Sequence, residues 1–241
     1  MNQIDKFTGF LPEGRYTLKG YRYDKHATVK IGHYCGECGV WVTCSGREVA
    51  EYDSLEAIIM DKMPNLVERL AENKGLIVTA DTLLDMAVAC IDCKIDVAVS
   101  DKPAMLSFLR ELAYQNTSKT EVISYYNQLG FENSILIKPS CKTVKDSLLV
   151  YSKVDEIIAN KTENEDYYNN FSRKFLNDNA HLLRFERRLQ KSKWVKRAFH
   201  LEDKHGMATL RDVLESPYNV VGEKVRQVFK IEEQGYEKGS Q

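Results

Sequence analysis

The 241-residue sequence lacks a basic stretch leading into an apolar one at its start, and no run approaches the roughly 18 apolar residues that cross a bilayer. A secretory leader and a membrane span are therefore not expected, and the protein reads as soluble and cytoplasmic. No glycine-rich phosphate loop of the Walker or Rossmann kind occurs, so nucleotide hydrolysis is not expected. There is no Pro/Gly/Ser linker, internal repeat or low-complexity tract, which argues for one domain. An excess of one charge sign is missing too: 34 Lys and Arg face 35 Asp and Glu, for a net charge of -1. Any surface for a polyanion must then come from local segregation of charge. The six cysteines lack a secretory context and read as reduced thiols. A composition 43% hydrophobic and 29% charged excludes disorder and fibres.

What is present is an alternation of strand and helix patterns. "RYTLKGYRYD", "ATVKIGHY" and "GVWVTCSG" alternate apolar with polar residues and predict an antiparallel meander. A helical pattern follows over "YDSLEAIIMDKMPNLVERLAENKGL", with Asp53 or Ser54 as cap, a kink or split at Pro64 and Gly75 as the stop. Next come the strand "CKIDVAVS", a helix from Asp101 with Pro103 in its first turn, and the strands "TEVISYYNQ", "NSILIKPS" and "SLLVYSKV". A polar helical stretch spans 167–177. "HLLRFERRL" predicts a further strand, and "KSKWVKRAF", "MATLRDVLE" and "NVVGEKVRQVF" short helices. The fold class is α+β: a mainly antiparallel central sheet, helices covering one face, and the candidate catalytic residues on the open one. Residues 1–230 form a single domain including a helical C-terminal extension, and 231–241 a flexible tail.

Three strands carry polar sets. Period-2 alternation puts Lys94 with Asp96, Tyr151 with Lys153, and Arg184 with Glu186 and Arg188. If these faces coincide, carboxylates and cations surround a tyrosine, a constellation suited to phosphodiester transesterification. A phenol with a pKa near 10 needs deprotonation, or cations and metal, before it attacks. Asp96 and Glu186 are candidate ligands for Mg²⁺ or Mn²⁺, with Lys153 and Arg184 offsetting charge on the reacting phosphate. The plainer alternative is solvent-facing strands with cross-strand ion pairs, each worth about a kcal/mol or less. Charge does segregate after His181: Arg184, Arg187, Arg188, Lys191, Lys193, Lys196 and Arg197 stand against Glu186 alone, interleaved with Phe185, Trp194 and Phe199. That pattern suits a DNA backbone, and a solvated helix face is the alternative.

"CKIDVAVS", "SLLVYSKVDEI" and "NAHLLRFERRLQKSKWVKRAF", followed by "ATLRDVL", resemble in order and spacing the gene-two/X replication initiators of filamentous phages and related plasmids. "GVWVTCSGREVAEYDSLEAI" resembles the strand-turn-helix near the start of that family. The resemblance implies a rolling-circle initiator that nicks and rejoins one strand of circular DNA at a plus-strand origin through a covalent 5′-phosphotyrosine. The Tyr-x-Lys-x-x-Glu motif falls on Tyr151, Lys153 and Glu156, making Tyr151 the implied nucleophile. The Ile-Asp strand falls on Asp96, and the Arg-Phe-Glu strand on Arg184, Phe185 and Glu186. Implied partners are origin DNA, single- and double-stranded, and a bacterial host's helicase and replication machinery. The family's Gly-His-Asn element is replaced here by "SGREVAEYDSLEA", without histidine. A catalytically inactive, DNA-binding regulator of replication is accordingly the alternative function.

Two Cys-x-x-Cys pairs, Cys35/Cys38 and Cys90/Cys93, are the remaining signal. Four thiolates are a candidate Zn²⁺ site, but the second pair runs into a predicted strand where residues three apart face opposite ways, so plain thiols are the expectation.

Overall fold

The computed structural model describes residues 2–19, 28–49, 51–55, 57–116, 119–126, 132–163 and 165–231. The chain begins with β1 (Gln3–Pro12), followed by β2 (Thr17–Leu18), β3 (Thr28–Tyr34) and β4 (Glu37–Ser45). The β3/β4 turn places Cys35 and Gly36 at φ 50° and 85°, the left-handed pair that matches hairpin twist. Helix α1 (Met63–Lys74) has Pro64 in its first turn and is closed by Gly75 at φ 65°. Then come β5 (Leu76–Ile77), α2 (Ala80–Leu84), the long β6 (Ala87–Ala98) and α3 (Lys102–Asn116). Asp101 starts α3 by accepting from the Ala104 amide at 2.9 Å. β7 (Thr120–Tyr126), β8 (Glu132–Pro139) and β9 (Asp146–Tyr151) form a meander. After α4 (Lys153–Ala159), α5 (Glu165–Tyr168) and α6 (Arg173–Asp178), β10 (Leu182–Leu189) returns to the sheet, and α7 (Ser192–Ala198), α8 (Leu210–Glu215) and α9 (Val220–Phe229) end the fold.

Eight strands make one sheet in the order β3-β4-β1-β6-β10-β9-β8-β7, antiparallel at each junction. The fold is thus α+β with an antiparallel sheet, as the alternating patterns predict. Helices α3, α7 and α9 pack on one face, where Ile91, Cys93, Leu183 and Leu189 meet Leu106, Val195 and Val228 in a continuous core. A smaller core of Val154, Ile157, Phe171 and Leu176 joins α4 to α6, and its neighbours Leu55 and Tyr167 border a cleft on the other face.

Several elements depart from the sequence pattern. The helix expected from residue 52 starts only at Met63. Residues before it are held otherwise: Ile58 bridges to Ile4, and Asp53, at φ 55°, spends its carboxylate on the amide and hydroxyl of Ser172 at the start of α6. The strand expected over 15–24 is reduced to Thr17–Leu18, paired with β5 in a separate ribbon, and 20–27 lie outside the described residues. The C-terminal helix α9, within the single domain expected over 1–230, buries Val220, Val221, Val228 and Phe229 in the main core. Of the tail expected at 231–241, all but Ile231 lies outside the described residues.

Candidate active site

The central ladder stacks the polar residues in rungs. Asp96, Arg184 and Tyr151 are cross-strand partners on β6, β10 and β9; two residues on, Lys94 pairs with Glu186, and then Asp92 with Arg188. β1 contributes through a register shift between Ile4 and Lys6: Ile4 and Phe7 both enter the core, while Asp5 and Lys6 both line the cleft. The resulting cavity holds about 440 Å³ and is bordered by cations Lys6, Arg47, Lys153, Arg184 and Arg188 and acids Asp5, Asp92, Glu156 and Glu186.

Tyr151 also lines it, 9% exposed, and its hydroxyl donates to Glu186 Oε2 at 2.9 Å. Burial and then the Glu186 charge hold this phenol well above 10, with Arg184 pulling the other way. Arg188 Nε donates to the second Glu186 oxygen at 2.5 Å. β9 stops at Tyr151 because the Ser152 hydroxyl accepts from the Asp155 amide at 3.3 Å and caps α4. Lys153 is therefore a helical residue and not a strand neighbour of Tyr151, yet its ammonium still sits 6.0 Å from the centre of the Tyr151 ring. It also pairs with Glu156 at 2.6 Å, and Glu156 in turn accepts from Arg47 at 3.2 Å. Arg47 lies 4.3 Å over the ring of Tyr167, a second tyrosine in the cleft that burial pushes up to about 12.

Arg184 is a support and not a free cation. Its Nε and Nη2 donate to the two oxygens of Asp96 at 2.7 and 2.9 Å, and its Nη1 to Asp5 at 2.8 Å. Beneath it lies Lys94, 1% exposed, donating to the Leu55 carbonyl at 2.5 Å, and pushed down to about 8 by burial and then by Arg184. Burial would raise Asp5, but Arg184 with Lys153, Lys94 and Arg47 lowers it overall.

Of the expected metal pair, Glu186 lines the cleft with one oxygen accepting from Tyr151 and the other from Arg188, whereas both Asp96 oxygens accept from Arg184 and Asp96 is not among the cleft residues. Asp92, on the same face of β6, does line the cleft. No side chain among the described residues donates to Asp92, and burial, then the charge of Glu186, pushes it up to about 7. Arg188 and Lys6 pull it the other way without outweighing that burial. Asp92 supplies hard oxygens of the kind Mg²⁺ uses, usually one or two carboxylates completed by water and phosphate. Among the described residues no three histidine, cysteine or acidic side chains converge as metal ligands. The cysteine pairs do not meet: Cys35 and Cys38 lie exposed at the β3/β4 turn, whereas Cys93 is buried in the core and Cys90 faces the other side of β6.

The basic segment divides across the sheet. Arg188 lines the cleft, but Arg187 points away from it into the helix layer, where it donates to both oxygens of Asp146 and, at 2.7 Å, to the Val220 carbonyl. Lys191, Lys193 and Arg197 are exposed on and before α7, with Lys193 and Arg197 lying 5.8 and 5.7 Å from the Trp194 ring centre. Lys196 donates to the Lys204 carbonyl.

Residues 44–208, more than half of the chain, match the family model described as the N-terminal part of the phage replication-associated gene-two protein. The chain belongs to that family. It is the initiator family that the ordered motifs resemble, and the matched span of this replication protein contains Arg47, Asp92, Tyr151, Lys153 and the whole of β10. Among solved structures, the chain is similar to a rolling-circle replication initiator protein from Geobacillus stearothermophilus, 12% identical, over 95% of this chain and 97% of that one, with a TM-score of 0.39. These values are too low to add to the family match. No curated protein matches the chain. Among the described residues, no helix is long and apolar enough to cross a membrane.

The charged cleft residues not anticipated from sequence are Asp5, Lys6, Arg47 and Asp92, and Ser45, Gly46, Leu55, Tyr167 and Gln190 also line it. Asp92 had a usable signal: in "IDCKID" it alternates with Lys94 and Asp96 on one face of the strand.

Proposed function

We propose that this cleft nicks and rejoins one strand of circular DNA at a plus-strand origin, with Tyr151 as nucleophile. The observation that carries the proposal is the Tyr151 hydroxyl donating to Glu186 at 2.9 Å in a cleft lined by cations, in a member of a replication-initiator family. A phenol held well above 10 is unreactive alone, so the attack is coupled to proton transfer onto Glu186, the acceptor already in contact. The Tyr151 oxygen forms a bond to phosphorus, the bond to the 3′ oxygen breaks, and the departing oxygen takes a proton from bulk solvent. A free 3′ hydroxyl is left to prime synthesis. Rejoining runs the same steps backwards, with Glu186 returning its proton to the phenol. Lys153 and Arg188 border the position of the phosphate and offset its charge, while Arg184, fully answered by Asp5 and Asp96, fixes the ladder and favours phenolate. A Mg²⁺ or Mn²⁺ held by Asp92, with water and the phosphate completing its shell, would supply Lewis-acid polarisation of the scissile phosphate. In this reading the protein works in the bacterial cytoplasm beside the host helicase, on both single- and double-stranded origin DNA.

The test is incubation of the protein with supercoiled replicon DNA and Mn²⁺, followed by peptide mapping of any covalent adduct. Attachment at Tyr151, and its loss in Tyr151→Phe with DNA affinity retained, is the expected result. Attachment at Tyr167 would keep the reaction and move the nucleophile. Tight binding without an adduct under any divalent metal would instead support the inactive regulator, the function suggested by the missing family histidine.

A further inference from the structure

Two cavities beyond the cleft line up with it. The first, about 290 Å³, shares Arg188 and Gln190 with the cleft and is lined by Leu136, Lys138, Lys142, Lys145 and Ser147 along β8, the β8/β9 turn and β9. The next, about 540 Å³, shares Pro139, Val144 and Asp146 with the first and lies among the helices, bordered by Lys119, Trp194, Arg197 and Lys224. The shared residues make the three cavities neighbours in series. They lead from Tyr151, around the β8/β9 hairpin, to the opposite side of the sheet. Eight lysines and arginines line the two outer cavities against three acids; Lys138, Arg187, Arg188 and Lys224 are already in ion pairs, which leaves Lys119, Lys142, Lys145 and Arg197 to face a polyanion. Two of those acids are already answered, Glu121 by Lys138 at 3.2 Å and Asp146 by Arg187 and Lys224 at 2.9 and 3.2 Å.

We propose that this path is the track by which single-stranded DNA flanking the cleavage site leaves the cleft and wraps the β8/β9 hairpin towards Trp194. The proposal rests on the reading that DNA occupies the cleft, because the polyanion filling the outer cavities is then the continuation of the reacting strand. Its geometry selects single strands: duplex DNA, with a persistence length of about 50 nm, does not turn around the end of a hairpin from one face of a sheet to the other. Exposed lysines tracking the backbone and an indole at the far end are the combination that binds single strands without reading sequence. It also gives the two halves of the basic segment one role, since Arg188 stands at the start of the track and Arg197 at its end.

The test uses the whole protein in EDTA, so that no cleavage intervenes, with oligothymidylates of increasing length and binding followed over a range of salt. Lys119, Lys142 and Lys145 are half-buried or exposed lysines outside the core, and their joint replacement by alanine leaves the melting temperature as a check on folding. Native protein should gain affinity as the oligonucleotide outgrows the cleft. In the triple variant that gain should disappear, and the slope of log affinity on log salt for the longest oligonucleotide should become shallower by about 2, from roughly 0.7 per contact for three contacts. An unchanged slope, or a duplex that competes as well as the single strand, overturns the track. These outcomes are independent of nicking: an adduct at Tyr151 with an unchanged slope removes the track alone, and a shallower slope without an adduct keeps the track and removes the chemistry.

Discussion

Arg187 and Arg188 are neighbours in sequence on opposite faces of β10, and their surroundings differ in kind. On the helix side Arg187 gives two bonds to Asp146 and one to the Val220 carbonyl, and Lys224 closes the group at 3.2 Å from Asp146, so each charge there is answered. On the cleft side Arg188 makes a single contact to Glu186 and its side chain remains 36% exposed, while Asp92, its partner in the ladder, has no donor among the described residues. Both faces are charged and both are largely buried. What separates them is completeness. A finished network ties α9 to the sheet, whereas an unfinished one leaves donors and acceptors for a phosphate and a cation. In this protein unanswered charge, and not charge density, marks the candidate site.

Substitutions on the two faces should therefore fail in different ways. The largest effect is expected at Glu186→Gln, which keeps the shape and the contact to Tyr151 but removes the proton acceptor. Nicking of supercoiled DNA should fall by about 10²–10⁴-fold, while the melting temperature changes little. A large loss of stability with nicking retained per folded molecule would place Glu186 with the structural acids.

Next is Arg187→Met on the helix side. It leaves Asp146 buried with Lys224 alone, and breaking a buried pair from one side costs about 3–5 kcal/mol. Denaturant unfolding should show that loss, and the fraction still folded should nick at the native rate. If DNA affinity fell in proportion to the charge removed while stability held, Arg187 would be a DNA contact after all and the two faces would not differ.

The same contrast explains what the sequence does and does not disclose. Period-2 alternation suffices for β10, for β7 to β9 and for most of β6, because each has one face in the helix-covered core, and that places Tyr151, Arg184, Glu186 and Arg188 on one side of the sheet. β1 is illegible by that rule: its register shift puts Ile4 and Phe7, three apart, into the same core and hides both the strand and Asp5. Lys153 reaches the cleft through a capped helix and not along the strand, and Arg47 and Tyr167 arrive from a turn and a short helix with no periodic signal. Nor can spacing tell which carboxylate is spent. Asp96 and Asp92 carry the same side chain on the same strand face, and only the reach of Arg184 decides that Asp96 is consumed and Asp92 is left.

The smallest effect tests that last distinction. Asp92 sits at about 7 in the folded protein against 3.8 for a free aspartate, because burial and Glu186 penalise its charge. Below pH 4 it is protonated in both the folded and unfolded states, and above pH 7 ionised in both. Between these limits the folded protein holds a proton that the unfolded chain has lost, so this group's contribution to stability falls as pH rises from about 4 to about 7. The full loss amounts to roughly 2–3 kcal/mol once partial exposure is discounted. Asp92→Asn removes the charge and with it the loss. In EDTA the variant should melt above the native protein at pH 8 and together with it at pH 4. Adding Mg²⁺ at pH 8 should then raise the native melting temperature more than that of the variant, since a cation bound only to the folded state offsets the same repulsion. A variant that melts lower at pH 8 would show that Asp92 is held by partners as Asp146 is, and the cleft would then be as complete as the core behind it.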